Sequence, residues 1–311
     1  MIELVGLGNI TNEPYPASIY YGQEVPFAIF VFLFSLASLV LYVIVMLALH
    51  QDSDYKNLMA YQIMFHIGIA DCLQLLIHFS TGFYILDGHE RYRIWERIIG
   101  AVMNGSWCTM LVLSILLTVN RLVSIVFHFE SKVVFSKFML KIYLGICWMF
   151  CIIIISLNLT PWCRFYYVVP TYTFHYEAGR LLSSTIRRLS ANISLAEVCI
   201  GIFCYACIFL YIYFKAAILS KREVYLTIQV LLLSVFHILG FFIWEYWFLP
   251  DHPVATFFGH FVWMAWNSIS AILHVAVSPR IRKNVYQVLG MEKGCTDLSQ
   301  NSKRIMSVVT T

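Results

Sequence analysis

Seven apolar stretches, each long enough to cross a bilayer, constrain this chain more than any motif does. The central one covers 98–126, IIGAVMNGSWCTMLVLSILLTVNRLVSIV, and its first 23 residues carry no formal charge. At 1.5 Å per residue that run spans a hydrocarbon core about 30 Å thick. It ends at Arg121, a cation with no acid beside it. An arginine costs roughly 2.5–3.5 kcal/mol at mid-bilayer and little at the interface. Arg121 is therefore expected at a membrane face, with Lys132, Lys137 and Lys141 just beyond it.

Composition agrees. Of 311 residues, 60% are hydrophobic and 12% charged, about half the charge of a soluble domain. A net charge of +4 is modest, and nothing in it suggests nucleic acid.

The chain divides into four parts. Residues 1–24 hold Glu3, Glu13 and Glu24 but no Lys or Arg, so they are not read as a cleaved signal peptide. Residues 25–278 hold the seven spans, at 25–49, 57–86, 98–127, 138–160, about 192–219, 224–249 and 254–278. Span two is interrupted by His66, Asp71 and His78, span five by Glu197 and span six by Glu245. The longest loop is 161–191, and Ser220–Glu223 is a very tight link between spans five and six. In residues 279–290, Ile281, Val285, Val288 and Leu289 fall on one helical face, with Arg280, Arg282 and Lys283 off it. That pattern reads as an amphipathic helix on the inner leaflet. Residues 291–311 are polar and read as a disordered tail. Its Cys295 is either palmitoylated or an unmodified thiol. The fold class is thus an all-α membrane protein, a seven-helix bundle with a short amphipathic eighth helix.

Orientation follows from Lys and Arg. With the N-terminus outside, the outer segments hold seven, Arg91, Arg93, Arg97, Arg164, Arg180, Arg187 and Arg188; the inner segments hold the other fourteen of 21. The bias favours an outer N-terminus and a cytoplasmic C-terminus. It makes the sequon at Asn9 a glycosylation candidate. It leaves the Asn192 sequon at the outer edge of span five and buries those at Asn104 and Asn158.

The motifs at the two ends of the bundle carry a resemblance. TVNRLVSI in span three looks like the Asp/Glu-Arg-Tyr switch of rhodopsin-like receptors, with Asn120-Arg121-Leu122 in its place. IGIADC in span two resembles their Leu-Ala-x-x-Asp pattern and makes Asp71 the buried acid. In span seven GHFVWMAWNSISAILHVAVSPRIRKNV, with YQIMFHIGIAD and KREVYLTIQ, is similar to the nematode serpentine chemoreceptors of the Srt class. The resemblance covers roughly residues 25–290. It implies an orphan G-protein-coupled chemoreceptor of sensory neurons, at the plasma membrane, with a small-molecule ligand, a heterotrimeric G-protein partner and no cofactor. There are departures. The acid before the arginine is Asn120, Asn-Pro-x-x-Tyr is replaced by Ser278-Pro279-Arg280-Ile281, and Cys108 lies about 20 Å inside its helix, too deep to pair with Cys163.

Each candidate residue has a plainer reading. Arg121, with Lys221 and Arg222 facing it, is either the coupling switch or a snorkelling cation. Asp71 serves a structural polar network or a bound cation. Glu197 and Glu245, near the outer ends of their spans, face a ligand cleft or headgroup water. Trp107 and Trp263 are the better pocket candidates, since Trp244 and Trp247 fit a belt at the membrane edge. His260 is placed at the pocket and His274 in packing. In the receptor reading, a ligand enters between the outer halves of spans three, five, six and seven and favours a state with the inner end of span six moved outward. The tight link would make spans five and six move together.

Two rivals have weaker support. An intramembrane zinc hydrolase needs His at i,i+3 or i,i+4 spacing, which the ten histidines never show. A ligand-gated channel or transporter is expected to show repeats or Gly/Pro-broken helices, and the spans show neither. A retinal protein is excluded because span seven has no lysine for a Schiff base.

Overall fold

The computed structural model describes residues 23–51, 58–87, 93–127, 131, 133–168, 172–215, 221–246 and 253–291. The order is α1 (Glu24–Gln51), α2 (Met59–Asp87), α3 (Arg93–Val126), α4 (Lys137–Asn158), β1 (Phe165–Val168), β2 (Thr173–Tyr176), α5 (Leu181–Lys215), α6 (Lys221–Tyr246), α7 (Pro253–Val277) and α8 (Pro279–Val288). Seven of these helices are long and apolar enough to cross a membrane. The protein is a multi-pass membrane protein.

Helix α3 is the axis of the bundle, packed against α2, α4 and α5. Large apolar side chains such as Leu33, Phe203 and Phe214 point outward. Polar ones such as Asp71, Asn104, Glu197, His260 and Asn267 are buried inside. That distribution is what hydrocarbon outside demands, since a polar side chain facing lipid finds no partner there, whereas one facing inward can bond to other protein groups.

Two helices begin earlier than the uncharged runs suggest. Helix α5 starts at Leu181 rather than near Asn192, so most of the 161–191 loop is a β-hairpin and the first turns of a helix. The charges of Arg187 and Arg188 hid those turns; both side chains are exposed, while Ser183 and Ile186 of the same turns are buried. At 35 residues, α5 is about 50 Å long, well beyond the hydrocarbon. The Asn192 sequon therefore lies within a helix, not at its edge. Helix α3 likewise starts at Arg93, and its Arg97 Nη2 donates to Leu159 O (2.6 Å), the C-cap residue of α4. Residues 221–223, expected in the tight link, form the first turn of α6. Helix α5 ends at Lys215, and 216–220 lie outside the described residues.

The antiparallel hairpin pairs Phe165 with Tyr176 and Tyr167 with Phe174. Its period-two alternation turns Phe165, Tyr167 and Phe174 into the bundle. They pack with Tyr84, Met103, Trp263 and Met264 in one core. The hairpin lies directly on α3, where an added Cβ at Gly100 would sit 1.8 Å from the Phe165 carbonyl oxygen. Cys163 beside it is a free thiol, as is Cys108, so the hairpin is held by packing and hydrogen bonds.

Ser278 caps α8 by accepting from Ile281 N (3.4 Å), with Pro279 at the first turn, and Gly290 closes it at φ 71°. Ile281 and Val285 join the core with Ala48 and Leu49 of α1. The apolar face expected on lipid is in large part taken by the bundle, and Leu289 remains exposed.

Two predictions follow from the hairpin seat. Gly100→Ala should destabilise the protein by about 1–3 kcal/mol through overpacking, whereas Gly145→Ala, with nothing within 4 Å, should be neutral or slightly stabilising; thermal unfolding in detergent compares them. His175 on β2 has its pKa lowered to about 4, first by burial and then by Arg187. Its folded pKa lies below the unfolded value of about 6.5, so its neutral ring stabilises the fold fully above that pH. That contribution is lost as pH falls from about 6.5 toward about 4. Protection factors of the hairpin amides, corrected for the intrinsic pH dependence of exchange, should fall over that window, and His175→Asn should flatten the response.

Candidate functional site

The sites at the two ends of the bundle are joined by a polar seam. At the α8 end, Arg121 is only 2% exposed. Its Nη2 donates to Glu223 Oε2 (2.5 Å) and to Thr227 Oγ1 (3.3 Å), both on α6. The arginine expected at a membrane face without a carboxylate is therefore inside the bundle with one. The physical reason is that α6 begins two residues before Glu223, and its first turn delivers that acid to α3. Glu223 is 31% exposed, so one partner is buried and the other reaches the rim. Asn120 is buried and lines a cavity of about 390 Å³ with Met59, Ser124, Phe135 and Lys137. Lys221 and Arg222 lie on the same first turn of α6, and their side chains are outside the described residues.

At mid-bundle, Asp71 accepts a hydrogen bond from Tyr42 OH through Oδ2, while its Oδ1 has no partner. Asp71, Gln74 and His78 follow at i, i+3 and i+7, one stripe of α2. On α7, His260, Asn267 and His274 repeat every seventh residue, and all are buried. The stripes meet where Trp263 Nε1 donates to Gln74 Oε1 (3.3 Å) and where the His78 and His260 rings lie edge-to-face with centroids 4.8 Å apart. His274 Nδ1 is 2.5 Å from Gln229 Nε2 on α6, two residues on from Thr227. Buried polar groups thus extend from the hairpin to Arg121.

The aromatic candidates gather against the seam. Trp107 packs edge-on to Trp263 (5.3 Å) and Trp266 (4.9 Å). Trp266 lies against His237 (5.0 Å), whose Nδ1 is 3.0 Å from Glu197 Oε1. Trp266 is seated on Gly240, where an added Cβ would come within 2.3 Å of its ring. Glu197 is therefore placed mid-helix in a buried pair and does not reach headgroup water; its position near an outer end is corrected by the early start of α5. Four expected residues, Trp107, Glu197, His260 and Trp263, fall in one connected cluster. Glu245 is on α6 with its side chain outside the described residues, as are Asn9 and Cys295 entirely.

Sequence reading missed Glu223, His237, Tyr42 and Gln229. Glu223 alone had a local signal, as an acid in the first turn facing the inner end of span three. Among the described residues, no three His, Cys, Asp or Glu are grouped to hold a metal.

A seven-helix membrane bundle with a short eighth helix and a buried arginine at one end is the architecture of serpentine receptors. The description "serpentine type 7TM GPCR chemoreceptor Srt" fits residues 18–297, and the chain belongs to that family. No curated protein sequence matches it significantly.

Tyr42→Phe leaves the Asp71 carboxylate without its donor. A buried polar group stripped of its partner costs about 1–3 kcal/mol, so thermal unfolding should show a clear loss, larger than for Tyr213→Phe on the exposed face of α5.

Proposed function

We propose that this chemoreceptor binds a small molecule near the hairpin and activates a heterotrimeric G protein at the α8 end, across the plasma membrane, with its N-terminus extracellular and its C-terminus cytoplasmic. One observation carries the reading: Arg121 of α3 is bound to Glu223 and Thr227 of α6. A buried arginine without a partner is costly. Moving the inner end of α6 outward takes Glu223 and Thr227 away together. The open state then needs a substitute acceptor, which a G-protein segment supplies. Because Glu223 is partly exposed, the pair is screened and the closed state is favoured modestly; a few kcal/mol leaves an open population of roughly 0.1–10%. Lys221 and Arg222 on the same turn would face the bound G protein. The orientation rests on the two-to-one excess of Lys and Arg on the α8 side, and it makes Asn9 available for glycosylation and Cys295 for palmitoylation. Asp71 and Tyr42 serve as the polar joint of α1 and α2 against which α7 moves.

The ligand reaches this switch through α7. A molecule held at His260 and Trp263 shifts the helix that carries His274, and His274 touches Gln229 on α6. Trp107 and Glu197 lie along the same packed cluster, so they sense the same shift.

The test needs no ligand. Full-length protein and a purified heterotrimer are combined in lipid discs, and basal nucleotide exchange is measured. Glu223→Gln should raise the basal rate about tenfold, equivalent to about 1.4 kcal/mol of lost closed-state preference. Arg121→Ala should abolish exchange without abolishing surface expression. Exchange that is intact in Arg121→Ala would overturn the switch.

A further inference from the structure

Beneath the hairpin the bundle buries two neighbouring histidines, His260, where the proposed ligand is held, and His78 on the facing helix. His78 and His260 are both 0% exposed. Neither nitrogen of His78 has a hydrogen-bond partner. Neither ring nitrogen of His260 is in a hydrogen bond of good geometry, and its polar neighbour is the Tyr172 main chain. Leaving such groups unpaired in an apolar interior costs free energy, and a pair of them on facing helices is a feature that a bound polar group would relieve.

Their surroundings are aromatic. Trp263 lies 5.6 Å from the His78 ring, Tyr167 5.7 Å from His260, and Phe257 6.2 Å from His260. Phe174 of the hairpin covers Trp263 at 5.9 Å. Such a setting favours a flat or compact apolar body.

Charge complementarity is missing at this level. Glu96 and Glu177 are bound to Arg164, and Glu177 also to Arg180. Glu197 is bound to His237 across the bundle. Asp71 lies two turns further down α2, about 10 Å away along the axis. Arg97 is spent on the Leu159 carbonyl. Arg187, which acts on His175, lies on the exposed face of α5; none of these carboxylates and guanidiniums is shown in contact with the two histidine rings. What the site does present is the edges of two imidazoles, each offering in its neutral form one N–H donor and one bare acceptor nitrogen.

We infer that the ligand is an uncharged small molecule with a carbonyl or hydroxyl head on an apolar, ring-sized body, its head held by His78 and His260 beneath the hairpin. This rests on the receptor reading above. The same arrangement discriminates against amines and carboxylates, because burying an unpaired charge costs far more than burying a neutral head. Entry requires the hairpin side chains Tyr167 and Phe174 to move aside. Nothing covalent prevents this, since Cys163 is a free thiol.

The experiment is titration calorimetry on the full-length protein in lipid discs, with four probes that share one ring: acetophenone, benzyl alcohol, phenethylammonium and benzoate. Empty discs supply the partitioning control. The expected result is saturable binding of acetophenone or benzyl alcohol, at least tenfold tighter than either charged probe. His78→Phe should weaken that binding roughly tenfold, the worth of one neutral hydrogen bond, and His260→Phe should act likewise. If His78→Phe does not fold, His260→Phe and the ranking of probes on the native protein decide the matter. Charged probes binding as tightly as neutral ones, affinity unchanged in both variants, or no saturable binding of any probe would overturn the assignment. None of these outcomes touches the ligand-free exchange measurement, so failure of the ligand class is distinguishable from failure of the receptor reading.

Discussion

Hydrocarbon around the bundle leaves each buried polar side chain only other protein groups to bond with, on its own helix or a neighbour, and the rest of the structure depends on that constraint. Tyr42 answers Asp71, Gln74 answers Trp263, His237 answers Glu197 and Glu223 answers Arg121. Each bond joins two helices, so the polar groups set which faces meet. The apolar surface cannot do this, because lipid tails accept Leu or Phe of one helix as readily as those of another. In the switch proposed above, the bond that changes is the one between Arg121 and Glu223.

The seam also explains how opposite ends can be linked. Along α7, His260 touches the α2 side and His274 the α6 side, separated by 14 residues, about 21 Å of helix. A rigid helix displaced at one end moves its polar contacts at the other. The groups left without partners along this seam, on Asp71, His78 and Asn267, are those least committed to one arrangement.

Much of the fold was legible in the sequence because bilayer thickness fixes helix length. The uncharged runs gave seven spans, and the apolar face of Ile281, Val285, Val288 and Leu289 marked the eighth helix. Helix ends were legible only where they coincide with the hydrocarbon edge. Helices α3 and α5 extend beyond the uncharged runs into turns that carry Arg97, Arg187 and Arg188, so charge misplaced their starts. The hairpin was obscured for a similar reason. Its alternating aromatics were visible as composition, but pairing depends on the seat that Gly100 provides on α3. Of the site, single residues were readable and their pairings were not. Arg121 stood out as a lone cation, while its acid lies 102 residues later. His260 stood out on α7, while its neighbour His78 read as an interruption of span two.

The central claim is that the Arg121–Glu223 pair holds the inner end of α6 against α3. The most direct measurement is the distance between spin labels on Tyr225 of α6 and Phe138 of α4, both exposed near that end, by pulsed electron resonance in lipid discs. The account predicts a single short distance in the native protein, a second, longer one on adding nucleotide-free G protein, and the longer one without G protein when Glu223 is Gln. One unchanged distance in all three samples, with nucleotide exchange still stimulated, would contradict it.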